Sequence, residues 1–175
     1  IRNQFVVPLA TLDGTLARRT DLLVLQRTFF QTAIESAQQD EHQAYIFANA
    51  KDAQRPRQFI QMLLRHKVEV YGLSQGLEVN GRFFGARESF VVPFEQPQYR
   101  LVEAMFGKVT TFQDSLFYDV SAWTLPLAFD IPYEEVGAKE FAKVMMGDQL
   151  TTEPVYLPRA VRADYAIAFE WYHYS

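Results

Sequence analysis

Apolar and polar residues alternate along this chain with two distinct periods. Leu22, Leu25, Phe29, Phe30, Ala33, Ile34 and Ala37 recur at helical spacing, with Arg27, Gln31, Glu35 and Gln38 between them. That spacing predicts a helix over 20–38, capped by Thr20 and Asp21, with a wide apolar stripe turned to the core. Ala44–Ala48 is a short run of strand formers. Pro56 then opens a second helix whose buried face is Phe59, Ile60, Leu63 and Leu64, closing on Arg65, His66 and Lys67. Val68–Tyr71 reads as the next strand, so strand, helix and strand follow one another as in a βαβ unit.

Further along, Asn80-Gly81 between two apolar runs is a strong hairpin signal, because both residues tolerate positive φ. Ser89–Phe94 supplies another strand. Gln96-Pro97 opens a third helix with Leu101, Val102, Met105 and Phe106 inward and Gly107 as its stop. The stretch from Phe112 to Tyr133 is turn-rich, a short helix is expected over 138–146 up to Gly147, and Asp164–Tyr172 is strand-like. These elements predict an α/β fold: a single domain with a mixed β-sheet, a βαβ unit, a β-hairpin and packing helices. The expected organisation is an accessory domain over 1–150 and a linker or the start of a following domain over 151–175.

Composition narrows the function. The 175 residues are 49% hydrophobic, 15% aromatic and 22% charged, a balance that suits a packed core rather than disorder. A net charge of −4 offers no global attraction for nucleic acid or an anionic membrane. Without cysteine there is no disulfide framework, iron–sulfur ligation or thiol nucleophile. No apolar run approaches the ~20 residues that span a bilayer. The opening Ile1-Arg2-Asn3-Gln4, with no initiator methionine and no signal-peptide pattern, reads as a piece of a longer chain.

Candidate chemistry is thin. His66-Lys67-Val68-Glu69 has the spacing that supplies two zinc ligands in carboxypeptidases, but it straddles a helix end and a strand start. A third ligand would have to come from His42 or His173, so helix-end chemistry is the preferred reading. Ser115 and Ser121 lie near Asp114 and Asp119 without a nucleophile elbow, which is ordinary turn chemistry. Nothing fixes any pair among Asp114, Asp119, Asp130, Glu134 and Glu135 at a glycosidase separation. The segment 112–126 interleaves aromatic and short polar residues. Asp114, Ser115, Tyr118, Asp119, Ser121 and Trp123 there form a candidate surface for a peptide or a carbohydrate. The competing and preferred reading is a buried irregular segment whose polar side chains bond its own backbone.

Three strings carry a resemblance: Ser89-Phe90-Val91-Val92-Pro93, Gln96-Pro97-Gln98-Tyr99-Arg100, and Asp119-Val120-Ser121-Ala122-Trp123-Thr124-Leu125-Pro126-Leu127. From the first helix to about Tyr133 the chain resembles a region that follows the catalytic domain in large bacterial carboxypeptidase A-like zinc metallopeptidases. The resemblance implies a parent that removes residues from peptide C-termini, with zinc in the preceding catalytic domain. It also implies an exported, periplasmic or secreted location and partners within the same chain: that catalytic domain and a following amidotransferase-like domain. No position here matches the family's zinc ligands or its catalytic glutamate in context. The resemblance therefore assigns this piece no catalytic residue, no metal and no cofactor, and implies a non-catalytic accessory domain.

Overall fold

The computed structural model describes residues 2–48, 54–108 and 124–154. The chain begins with α1 (Arg2–Ala17), which no periodicity announced, and α2 (Arg19–Gln39). The two run nearly end to end: the Arg18 amide reaches the Gly14 carbonyl and the Leu22 amide reaches the Arg18 carbonyl. Thr20 and Asp21 therefore lie inside α2 rather than capping it. Strand β1 (His42–Ala48) follows, then α3 (Gln54–Arg65) and β2 (Tyr71–Leu73). The hairpin consists of β3 (Leu77–Val79) and β4 (Arg82–Phe84), turned by Asn80 and Gly81 at φ 50° and 77°. Those angles fit the turn whose twist matches paired strands. Then come β5 (Ser89–Pro93), α4 (Tyr99–Phe106), α5 (Leu125–Ala128), β6 (Tyr133–Gly137), α6 (Ala138–Phe141) and β7 (Met146–Gln149).

The fold class is mixed α/β, as the patterning predicts. The five-stranded sheet has the order β6-β1-β5-β2-β7, and every ladder among the described residues is antiparallel. The β1–α3–β2 unit is present in split form. Its two strands run parallel, but β5 lies between them and is antiparallel to both. Two other expectations shift. The strand expected over 68–71 pairs over 71–73 instead, although Val68 and Val70 are fully buried. The helix expected over 138–146 shortens to α6, and Gly147 lies within β7.

Both faces of the sheet are covered, which explains why β5 is buried at every position. On one face Tyr45, Phe47, Phe90 and Val92 pack with Phe59, Ile60 and Leu63 of α3 and with Val102 and Phe106 of α4. On the other, Ala44, Ile46 and Val91 meet Val79 and Phe84 of the hairpin, with Phe141 and Val144 against them. The helical face holds a ring cluster in which Phe106 stacks on Tyr45 at 4.6 Å, with Phe59 edge-on at 5.3 Å. Gly107 ends α4 without a left-handed angle. Its amide bonds the Glu103 carbonyl at 2.7 Å, and a Cβ there would lie 2.6 Å from that same oxygen.

The tyrosines of this face make a pH prediction. Burial, reinforced by the Glu135 charge, pushes the Tyr133 phenol up to about 12. Burial is also the main cause that raises Tyr45 and Tyr99, with Glu135 and then Tyr133 acting on the first and an Asp40 hydrogen bond on the second. A folded-state value above the ordinary 10.0 means the neutral ring is favoured by folding. This stabilisation is fully present below the ordinary value and is lost as pH rises toward and through about 12. Alkaline titration should show these rings ionising only as near-ultraviolet circular dichroism collapses. Ionisation of every tyrosine at the ordinary value in an intact fold would refute it.

Candidate functional site

The candidate peptide- or carbohydrate-binding residues Asp114, Ser115, Tyr118, Asp119, Ser121 and Trp123 lie outside the described residues, as does the tail from 155 onward. The other candidates are placed. His66 is exposed beyond the end of α3, and the next residue, Lys67, has φ 58°. The Glu69 carboxylate accepts a hydrogen bond from the Tyr71 hydroxyl at 3.1 Å. Among the described residues no group of three histidine, aspartate or glutamate side chains is arranged to hold a metal. Three of the acidic candidates are engaged in packing contacts. Asp130 pairs with Arg55, Glu134 lies 3.5 Å from Arg82, and Glu135 lies 3.7 Å from His42. The Arg55–Asp130 pair lines an open depression of about 550 Å³ together with Gln58, Ala128 and Phe129.

The largest unusual feature is the helical arm at the start of the chain. Every residue from 2 to 31 is exposed, and burial begins only at Ala33 and Ala37. The stripe read from Leu22, Leu25, Phe29 and Phe30 as core-facing is therefore a correction: these side chains face outward. The physical reason is reach. The domain surface that receives Ala33 and Ala37 ends near Phe29, and the helix continues past it.

The arm's direction is set by α4. Arg100 donates to the Phe29 carbonyl at 3.0 Å and to the Thr32 hydroxyl at 2.9 Å, with its guanidinium 4.6 Å from the centre of the Phe29 ring. Tyr99 donates to Asp40 at 2.6 Å, and Gln38 donates to Glu95 at 2.7 Å. Beyond this brace two of the arm's hydroxyls turn back onto the helix. Thr11 and Thr15 bond the carbonyls one turn back, at 2.9 and 2.7 Å. Large apolar groups are left facing outward among the polar ones, with Phe5 69%, Leu12 65% and Leu16 73% exposed.

Such a surface is expensive to hydrate and is the kind that marks protein–protein contact. Among the described residues no helix is long and apolar enough to cross a bilayer. The signal for it was in the sequence as a long apolar spacing. That spacing alone does not separate a stripe facing the chain's own core from one facing a partner. No protein-family model, no curated protein and no solved structure matches this chain.

Proposed function

We propose that this chain is a non-catalytic structural domain that acts through protein–protein contact. We further propose that it is the accessory domain of a zinc carboxypeptidase-like protein, where it supports the catalytic domain. The observation that carries the reading is the arm: about thirty residues of helix on which no side chain is buried and large apolar groups face solvent. The carboxypeptidase context rests on the resemblance of the Ser89–Pro93, Gln96–Arg100 and Asp119–Leu127 strings. In that context zinc belongs to the preceding domain, an amidotransferase-like domain follows, and the assembly is exported.

The test adds this chain to the separately expressed catalytic domain of such a protein. The chain alone should bind no stoichiometric zinc and release no C-terminal residue from peptides. Its addition should raise the melting midpoint of the catalytic domain by several degrees, through linkage between binding and folding. An unchanged midpoint and unchanged peptidase activity would sink the accessory reading. One tightly bound zinc, lost in His66→Ala, would return the His66–Glu69 pair to the catalytic role argued against above.

A further inference from the structure

Arg18-Arg19 is the one place in the 175-residue sequence where two basic residues are adjacent. The structure sets that pair at the break between α1 and α2. Arg18 has left the helix, at φ −108° and ψ 21°, and both arginines are exposed. Arg27 is exposed too, but it lies within the continuous run of α2.

α1 gives the junction little support. No residue of α1 is buried, so unwinding it uncovers no packed side chain. Pro8 lies inside it and Gly14 near its end, and both residue types weaken a helix. A 16-residue helix without tertiary packing is marginal in water. Endopeptidases cut the transiently opened form of a chain, and the last turn of α1 is poised to supply one.

The residues after the pair are those of a helix start. Thr20 is a capping residue type, and Asp21 places a negative charge in the first turn. In the intact chain Thr20 is inside α2. Arg18 holds the N-cap position without a side-chain hydrogen bond, and two guanidinium groups lie at the helix's positive end.

We propose that the Arg19–Thr20 bond is a processing site, hydrolysed by an endopeptidase whose specificity pockets hold carboxylates for paired basic side chains. Water adds across the amide, leaving a carboxylate on Arg19 and an amine on Thr20. The cut severs α1, while α2 keeps its root on the domain through Ala33, Ala37 and the Arg100 bonds to Phe29 and Thr32. Thr20 then caps a helix whose first turn holds Asp21, and one ammonium replaces two guanidinium charges at that end. The inference does not depend on the accessory reading.

The experiment is limited proteolysis of the whole chain, read by intact mass. Trypsin in limiting amount reports access: the first product should lack the residues up to Arg18 or Arg19. A serine endopeptidase that requires paired basic residues should cut after Arg19. Arg18→Gln with Arg19→Gln should slow that cut roughly tenfold or more, with near-ultraviolet circular dichroism unchanged. In the cut chain Thr20→Val should lower hydrogen-exchange protection of the Leu22 and Leu23 amides severalfold, and in the uncut chain it should not. A first tryptic cut at Arg27 or within the domain, with Arg18-Arg19 intact, overturns the proposal. So does a pair-specific endopeptidase that leaves the chain whole. Equal effects of Thr20→Val in cut and uncut chains would overturn the new cap.

Discussion

Phe106→Ala is expected to cost about 3–5 kcal/mol, the range for emptying a large aromatic site in a packed core. Phe106 is fully buried at the end of α4, where four elements converge on one ring. It stacks on Tyr45 of β1 at an interplanar angle of 11°, contacts Phe47 at 6.1 Å and Phe59 of α3 at 5.3 Å, and meets Tyr133 of β6 at 6.1 Å. Its backbone carbonyl also accepts the Tyr133 hydroxyl at 2.9 Å. Removal therefore loses ring contacts on several sides at once, and strand and helix backbones limit how far the neighbours collapse inward. Urea unfolding followed by tyrosine fluorescence should show a lower midpoint with an unchanged slope, and Phe106→Leu should recover part of the loss. A cost under about 1 kcal/mol would mean that the cluster repacks freely, contrary to the geometry above.

The second large effect is expected at Gln96. Its side chain is 1% exposed and acts as a brace between two stretches of backbone. The Oε1 atom accepts the Glu69 amide at 2.8 Å, and Nε2 donates to the Pro93 carbonyl at 2.5 Å and more weakly to the Glu69 carbonyl at 3.4 Å. Gln96→Leu preserves most of the volume but leaves a buried amide and a buried carbonyl without partners. Each such group costs about 1–3 kcal/mol, so a loss of about 2–4 kcal/mol is expected. Gln96→Glu keeps the acceptor for Glu69 but turns a negative oxygen toward two carbonyls. Its deficit should shrink as pH falls and the introduced carboxyl protonates. Hydrogen exchange at the Glu69 amide measures this directly: protection should fall at least tenfold in Gln96→Leu. Unchanged exchange there would show that water replaces the brace at no cost.

What could be read from residues alone depended on which interactions wrote the pattern. Ala44–Ala48 and Ser89–Phe94 were legible because central strands covered on both faces become continuous apolar runs. Asn80-Gly81 was legible because its backbone angles demand those residue types. The edge strands were not. Glu134 faces Arg82 and Glu135 faces His42, and Met146–Gln149 is held through backbone pairing to β2 with every side chain exposed. Gln96 read as a residue ahead of a helix-opening proline, and nothing local distinguishes that role from a brace to residue 69. α1 escaped because Phe5, Val6, Val7, Leu9, Leu12 and Leu16 surround the helix without favouring one side, and Pro8 lies inside it. Only the second half of the arm was thus visible as spacing, and its exposure was a matter of where the domain stops.

The strand order has a consequence for synthesis. β6 and β7 stand at opposite edges of the sheet, yet they are the last two described strands and only residues 138–145 join them. A nascent chain that has released β1, β2 and β5 but not residue 133 holds a three-stranded sheet open along both sides; β6 then covers one side and β7 the other. Open edges are templates for pairing with other chains. Translation stalled between Ile131 and Tyr133 leaves both sides bare, and one short late stretch closes them in turn. Until residue 149 emerges, the β2 side of the sheet stays open to pairing with other chains.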